Sequence, residues 1–369
     1  MNGKLQTDVV KICQKQLSTK KLDALFISDP YNIRHLSGFT GTNGQLFITP
    51  KNAYLITDFR YIAVAKKILP PSIQLIEMNK GLIAATQTLI DKLKLSKKAT
   101  IGIEERNLSF WKYSLFKKNL KNCELKAAQG MIEELRIFKT EQEVALITKA
   151  QRIAEKVFIE VRKNLKVGKT ENQIAWEIEQ LGHEFGADTI SFPAIVGFQE
   201  NSASPHHQNS NRKLKKGEIV LIDMGMMYKG YCSDMTRMIF TKKPSDFEAK
   251  IYNTVLEAQQ TTIQKLKAGV KGNIADKWSR DIITQAGYGE TFGHSLGHGI
   301  GLEVHEAPNL SSSYELPIPE GTIVTVEPGI YLENSFGVRI EDMVLVKRNN
   351  VVNLTKIPSK LQDSIFPIR

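Results

Sequence analysis

The chain has 369 residues, of which 41% are hydrophobic and 24% are charged, and its formal net charge is +11 at pH 7. It contains no run of about 18 or more apolar residues, which excludes a transmembrane helix, and its three cysteines are too few for a disulfide framework. The length favours two domains over a single core, and the composition is typical of a soluble globular protein.

The excess of positive charge comes mostly from lysine, and residues 91–126 are especially rich in it. Nucleic-acid binding would require a defined motif with aromatic or arginine readers, and none is evident. The first residues, MNGKLQTDVVKICQKQ, lack the apolar core of a signal peptide. We therefore expect a cytoplasmic protein that binds neither nucleic acid nor membrane.

The first third of the chain alternates between helix and strand patterns. We predict helices near 8–18 and 59–69, and strands near 23–28, 45–49 and 53–57. The boundary of this region falls near 125–132. The predicted domains are therefore 1–127 and 128–369.

Four helices are predicted after the boundary, three of them from capping boxes, in which a Thr or Ser precedes Glu or Gln by three residues. They begin after Thr140 (with Glu143), Thr170 (with Gln173) and Ser245 (with Glu248), and a fourth covers 273–286 before Gly287. The order of elements around them recurs once. Two helices, a histidine-bearing segment and a carboxylate hairpin occur in 140–240 and again in 246–346.

Two aspartates lie on a predicted hairpin. Its strands are expected over residues 218–224 and 231–240. A two-residue loop at 228–229 would put Asp223 directly opposite Asp234, whereas a loop at 229–230 would make them diagonal neighbours. In both registers the carboxylates point the same way, with β-carbons about 5–8 Å apart.

Two glutamates repeat this arrangement on a second predicted hairpin. Strands over 322–327 and 338–346 surround a turn near Asn334. A loop with an odd number of residues centred there places Glu327 and Glu341 on one face. Four carboxylates buried together without a cation would repel one another, and burial would raise their pKa values, so we predict a metal site.

Three of the seven histidines lie in one glycine-rich stretch, GHSLGHGIGLEVHE. They are His294, His298 and His305. The glycines indicate close backbone approach rather than packing. With His298 added, the ligand set is four carboxylates and one imidazole, which suits two divalent ions of the Mn, Co, Zn or Fe type. The predicted metal ligands are Asp223, Asp234, His298, Glu327 and Glu341.

A polar loop, ENSASPHHQNS, carries two further histidines between strand-like runs. Loops beside a rigid sheet often carry substrate-binding groups, so His206 is a candidate, although the sequence alone cannot separate it from His207. His35 and His183 are interpreted as structural residues.

At these residues the chain resembles the pita-bread metallopeptidases, which include methionine aminopeptidase, aminopeptidase P and prolidase. The family's ligand order of Asp, Asp, His, Glu, Glu is complete here. The N-terminal phrases DALFISDPYNIRHLSGFTGTNG and NAYLITDFRY resemble the N-terminal domain of aminopeptidase P, prolidase and creatinase. Methionine aminopeptidase lacks this domain and creatinase lacks the metal ligands, so the resemblance favours an Xaa-Pro peptidase.

The resemblance implies an α/β fold with two parts. The C-terminal part would be a pita-bread domain, a pseudo-twofold curved antiparallel sheet with outer helices, and the N-terminal part a smaller α/β domain of the creatinase/prolidase type. It also implies a homodimer with two divalent metal ions per chain, with Mn favoured and Co, Zn or Fe as alternatives. The favoured activity is hydrolysis of Xaa-Pro bonds at a free N-terminus, as in aminopeptidase P. The alternatives are a prolidase restricted to dipeptides and an inactive binding protein.

The resemblance also implies roles for individual residues. Glu327 would be a ligand and a proton shuttle, and His305 or His294 would stabilise the oxyanion. His206 and Arg339, which precedes the last ligand by two residues, would orient the proline side or the carboxylate of the substrate. The substrate's free amino group would meet a metal and a carboxylate.

Overall fold

The computed structural model describes residues 3–95, 98–121, 123–128 and 130–368. The chain divides into two compact units, Met1–Arg136 and Ile137–Arg369. No helix in the described part of the chain is both long enough and apolar enough to span a bilayer.

Among its described residues, the first unit is built from six short strands and the helices between them. The helices are α1 (Gly3–Lys20), α2 (Pro30–Ser37), α3 (Phe59–Ile68), α4 (Leu82–Lys92), α5 (Phe110–Asn119) and α6 (Glu133–Ile137). The strands are β1 (Ala24–Ile27), β2 (Gly44–Ile48), β3 (Ala53–Thr57), β4 (Ile73–Glu77), β5 (Ala99–Ile103) and β6 (Cys123–Ala127). Each element predicted in this region overlaps an observed element of the same type.

These strands form one mixed sheet in the order β4-β3-β2-β1-β5-β6. A short turn makes β2 and β3 antiparallel, and β1 pairs antiparallel with β2 although α2 lies between them, whereas the helical crossovers α3 and α5 join parallel pairs. Both faces of the sheet are covered. Phe47, Tyr54 and Ile56 pack on one side, while Leu46 and Leu55 pack on the other.

The second unit contains five helices and thirteen strands among the described residues. The helices are α7 (Glu141–Lys163), α8 (Glu171–Glu184), α9 (Asp246–Lys265), α10 (Gly272–Gln285) and α11 (Leu361–Ser364). The strands of its first half are β7 (Thr189–Ile190), β8 (Ile195–Phe198), β9 (Ile219–Met224), β10 (Met226–Tyr228), β11 (Tyr231–Cys232) and β12 (Met235–Phe240). Those of its second half are β13 (Gly297–Gly299), β14 (Glu306–Leu310), β15 (Ile323–Val326), β16 (Gly329–Leu332), β17 (Phe336–Arg339), β18 (Asp342–Val346) and β19 (Val351–Asn353).

The starts of α7, α8 and α9 confirm the predicted capping boxes. In each helix the N-cap hydroxyl accepts a hydrogen bond from the third backbone N–H, and the third side chain accepts one from the N-cap backbone. The fourth helix, α10, begins without a side-chain cap. It is followed by Gly287, whose φ of 93° is a backbone conformation that glycine adopts readily.

The aspartate hairpin adopts the second of the two predicted registers. Asp223 pairs with Thr236, so Asp234 is its diagonal neighbour, and the loop is formed by Lys229 and Gly230. Both loop residues have positive φ, 46° and 74°, as in the tight turns that match strand twist. The predicted second strand is interrupted after β11.

The glutamate hairpin is also interrupted, but it keeps one register throughout. Val326 pairs with Asp342 in β15/β18, and Gly329 pairs with Arg339 in β16/β17, which places Glu327 opposite Glu341. The predicted odd-length loop is confirmed, and it spans 333–335.

The predicted repetition in the order of elements is also observed. It places the four carboxylates of the two hairpins at or near the ends of strands, between two hydrophobic clusters. Strand β9 contributes Ile219 and Leu221 to a cluster with α9 and α10, and Val220 and Ile222 to a cluster with α7 and α8. Because β9 is buried on both faces, Asp223 near its end is held rigidly.

Candidate metal centre

One cavity of about 510 Å³ brings together every predicted site residue. They are Asp223, Asp234, His298, Glu327, Glu341, His206, His294, His305 and Arg339. Its volume lies within the range usual for small-molecule sites, about 300–1,000 Å³. Apolar side chains form part of its wall, including Phe192, Ile195 and Val304.

Three of the predicted ligands converge closely enough to hold an ion. Ligand atoms of Asp234, His298 and Glu341 all lie within 4.8 Å of one another. Glu327 adjoins them, because its Oε1 is 3.3 Å from Nε2 of His298. Asp223 lies diagonally opposite Asp234 on the aspartate hairpin and is also buried.

Two buried carboxylate oxygens face the site without a hydrogen-bond partner among the described residues. They are Oδ1 of Asp223 and Oε1 of Glu341. The other oxygen of each group is held, since Asp223 Oδ2 accepts from Arg339 (2.6 Å) and Glu341 Oε2 accepts from Thr236 (2.8 Å). A buried carboxylate oxygen without a partner is costly, and a divalent cation would satisfy it. The residues therefore fit the predicted metal ions.

His298 is held in the tautomer that a metal ligand needs. Its Nδ1 is 3.0 Å from the carbonyl oxygen of Gly299, so Nδ1–H donates there. Nε2 faces Glu327 Oε1 and Asp234 Oδ2, which is 3.7 Å away; in the absence of an ion Nε2–H donates to Glu327, and a bound ion would take the place of that proton. A backbone partner on the second nitrogen is the usual device for orienting a ligating histidine.

The carboxylates perturb one another strongly. Burial, then the charges of neighbouring carboxylates, raises the pKa of Asp234 and of Glu341 well above the ordinary values. Burial also raises the pKa of Asp223, against the opposing effect of Arg339. Burial acts in the same sense on Glu327, but the hydrogen bond and charge of His298 outweigh it, and the pKa of Glu327 is lowered. A bound cation would allow all four groups to be charged together.

His294 lies in a chain of hydrogen bonds that links it to Asp223. Its Nε2 is 2.9 Å from the hydroxyl of Tyr331, which is 2.8 Å from Nη1 of Arg339, and Arg339 Nη2 donates to Asp223. The guanidinium also donates to Thr236 through Nε (3.1 Å). Arg339 thus fixes the first ligand. Its predicted contact with the substrate stays a prediction.

His305 lines the cavity and is exposed. Its ring packs edge-on against His298, with ring centroids 4.3 Å apart. Burial, then the neighbouring His298, lowers the pKa of His305. A neutral His305 keeps one N–H, which is available to a substrate oxygen.

The structure separates the two histidines that the sequence could not. His206 lines the cavity, whereas Nε2 of His207 is 2.9 Å from Oε2 of Glu171. Tyr331 and Thr236 also belong to the site and were not predicted from the sequence. Both stand in phrases that carry ligands, Thr236 two residues after Asp234 and Tyr331 four residues after Glu327, and this proximity was the available signal.

Comparison with known protein families gives two matches that together span most of the chain. The model of metallopeptidase family M24 matches residues 145–348, and the model of the creatinase/prolidase N-terminal domain matches residues 10–138. The predicted resemblance is therefore confirmed in both parts.

Similar proteins cover nearly the whole chain. The Xaa-Pro dipeptidase of Pyrococcus furiosus is 34% identical over 349 residues, which is 94% of this chain and 97% of that protein. Among solved structures, an Xaa-Pro dipeptidase from Bacillus anthracis has a TM-score of 0.93 at 36% identity and covers 96% of this chain and 99% of its own. An X-Pro aminopeptidase from Thermotoga maritima has a TM-score of 0.87 at 35% identity, with 94% and 98% covered. These likenesses confirm the predicted fold, an α/β chain with a creatinase-type N-terminal domain and a C-terminal pita-bread domain.

Proposed function

Because this chain belongs to metallopeptidase family M24, we propose that it removes the N-terminal residue from peptides whose second residue is proline, as aminopeptidase P does. The observation that supports this most is the complete ligand set, in which buried oxygens of Asp223 and Glu341 face the cavity without protein partners among the described residues. An inactive binding protein would have no use for five converging ligands. We assign the chemistry to residues 128–369 and an accessory role to 1–127.

The five ligands would hold two divalent ions, with manganese favoured over cobalt, zinc or iron. When bound, such ions polarise the scissile carbonyl and lower the pKa of water. The carboxylates and His298 supply the hard donor set that these ions prefer. Arg339 and Thr236 orient Asp223 and Glu341 for this purpose.

Glu327 is the group we assign to proton transfer. Bound cations would keep its carboxylate charged at neutral pH, so that it can accept the proton of the attacking water. The same carboxylate can then deliver a proton to the proline nitrogen, which must be protonated to leave. Oε1 of Glu327 also accepts a hydrogen bond from Thr325 (3.2 Å), which fixes its orientation.

We assign the stabilisation of the oxyanion to His305 and the proline side of the site to His206. His305 is exposed and lines the cavity, whereas both ring nitrogens of His294 have hydrogen-bond partners. The Xaa-Pro bond has no N–H, so the site needs no acceptor for one. Phe192, Ile195 and Val304 provide the apolar wall against which a proline ring would pack.

A dipeptidase with the same chemistry is the second candidate. The names of the relatives from Pyrococcus furiosus and Bacillus anthracis favour it. We favour the aminopeptidase, because no insertion in 1–127 stands out in the sequence as a lid that would close off the C-terminal side of the substrate.

The proposal also includes the assembly and the location of the enzyme. The protein would be a cytoplasmic homodimer that acts on peptides and has no nucleic-acid or membrane partner. Sedimentation of the purified protein tests the dimer.

The experiment is the hydrolysis of Ala-Pro, Ala-Pro-Ala and Ala-Ala-Ala, each with a free and an acetylated N-terminus, by manganese-loaded protein. We expect cleavage of both proline peptides and none of the acetylated ones. Cleavage of Ala-Pro alone would establish the dipeptidase. Equal cleavage of Ala-Ala-Ala would refute the specificity for proline.

A further inference from the structure

The buried carboxylate of Glu171 accepts hydrogen bonds from both sides of the loop that carries His206. Glu171, the first residue of α8, is fully buried and accepts five hydrogen bonds from this loop. Its Oε1 accepts from the Phe198 amide (3.0 Å) and from Asn201 Nδ2 (2.8 Å), and its Oε2 accepts from His207 Nε2 (2.9 Å), the Ser210 amide (3.0 Å) and Ser210 Oγ (2.7 Å). A carboxylate only accepts, so the proton between Glu171 and His207 resides on the imidazole.

The five donors bracket His206 along the chain. Two of them precede it and three follow it, so both arms of the loop meet at the same carboxylate while the His206 side chain lines the cavity. Other contacts also hold the loop, including Gly337 N–H to Ser202 Oγ (2.9 Å) and Arg339 Nη1 to the Pro205 carbonyl (3.4 Å). Among the described residues, however, only Glu171 joins the arms on both sides of His206 through one group. Losing it would let the loop sample more conformations, because each ordered residue gives up conformational entropy. Glu171 itself does not line the cavity.

We infer that Glu171 is a positioning residue, and that its five-fold clamp on 198–210 fixes His206 at the proline side of the substrate. The inference rests on the proposed function for the role of His206, whereas the clamp stands on geometry alone. Burial would raise the pKa of Glu171, but the hydrogen bonds from His207, Ser210, Asn201 and Phe198 outweigh it, and the pKa is lowered. The carboxylate is therefore charged at neutral pH, which strengthens each of these bonds.

Glu171→Gln is the informative change because it keeps the size of the side chain. The amide retains one accepting oxygen, but its NH₂ group would face the Ser210 N–H, so donors would oppose donors. The metal ligands are on other segments and should keep their ions. We expect kcat/KM for Ala-Pro-Ala to fall by about tenfold to a hundredfold, since displacing a positioning group by about 1 Å can cost that much.

A double-mutant cycle with His206→Ala distinguishes positioning from general weakening of the fold. If Glu171 acts through His206, Glu171→Gln should change kcat/KM by less than about twofold once His206 is already alanine, because coupled residues are not additive. If the two effects multiply, the inference is overturned. Glu200→Gln is the matched control, since Glu200 lies on the same loop, binds Arg212 and is half-exposed.

Hydrogen exchange tests the clamp without any enzyme activity. The amides of 198–210 should exchange faster in Glu171→Gln than in wild type or Glu200→Gln, at equal metal content. Unchanged exchange would overturn the clamp. If wild-type protein cleaved no Xaa-Pro peptide, the proposed function would fail, while exchange would still decide the clamp. Should Glu171→Gln not fold, Ser210→Ala and His207→Phe each remove part of the clamp, and their effects should likewise vanish in the His206→Ala background.

Discussion

The hydroxyl of Tyr331 donates its proton to Nε2 of His294, across 2.9 Å. This direction follows from the other ring nitrogen, since the carbonyl oxygen of Ser295 can only accept, at 2.8 Å, and the proton of the neutral ring therefore lies on Nδ1. Arg339, which can only donate, also uses the Tyr331 oxygen as its acceptor at 2.8 Å. Both nitrogens of His294 are occupied, so of the two histidines considered for the oxyanion, His305 is the one left to donate to a substrate oxygen.

The first prediction concerns this division between the histidines. His305→Ala should retain its metal and lose about 10²–10³ in kcat, the usual cost of removing one donor to an oxyanion. His298→Ala should lose metal as well as rate, and His183→Ala should lose neither. Metal content and steady-state rates of the three variants provide the measurement. Equal metal loss in His305→Ala and His298→Ala would contradict the separation of donor from ligand.

The second prediction concerns a ligand. Asp234→Ala removes one of the three groups whose ligand atoms converge within 4.8 Å. We expect loss of metal and a drop in activity of at least about 10²-fold, the upper end of what changes around a metal typically cost. Elemental analysis and rate measurements on the variant are the test. Full metal content at normal activity would exclude Asp234 as a ligand.

The third prediction concerns Arg339, which fixes Asp223 and Tyr331 at once. Arg339→Lys keeps the charge, but a lysine cannot reproduce the planar fork that reaches both partners and Thr236. We expect metal affinity to fall by about 10–100-fold, as is typical when a partner of a ligand is lost. Titration of chelated protein with manganese measures this, with Arg348→Lys at an exposed position as the control. Equal affinity in the two variants would contradict the role assigned to Arg339.

The fourth prediction concerns pH. In metal-free protein the pKa values of Asp234 and Glu341 are raised above their ordinary 3.8 and 4.5, so the folded state holds protons that the unfolded state releases. The stability that these groups contribute is therefore greatest at low pH and is lost as the pH rises above those ordinary values. The Tm of chelated protein should fall relative to that of manganese-loaded protein between about pH 4.5 and pH 7.5, and adding manganese should release protons. If the Tm of chelated and of manganese-loaded protein changed with pH in parallel, and manganese binding released no protons, these raised pKa values would be contradicted.

The sequence predicted which carboxylates share a face of each hairpin, because strand alternation determines this locally. Strand alternation alone requires Asp223 and Asp234 to share a face in either register. The choice of register depended on which residues form the turn, and the observed loop uses Gly230 in a conformation with positive φ. A preference for glycine at the second turn position was the signal that could have decided it.

Other parts of the site depend on contacts between distant segments, which no local pattern reveals. Glu171 and His207 are 36 positions apart, and Tyr331 and His294 are 37 apart. Glu171 looks in the sequence like an ordinary first-turn residue of a helix, for which the dipole alone is sufficient reason. Only the fold shows that its carboxylate holds the loop of His206.

The most direct test of the proposed function compares Ala-Pro-Ala with Ala-Ala-Ala on chelated protein and on the same protein reloaded with manganese. We predict that only the reloaded protein releases alanine, and only from the proline peptide, with up to two ions bound per chain. Undiminished release of alanine from Ala-Pro-Ala by thoroughly chelated protein would contradict the account.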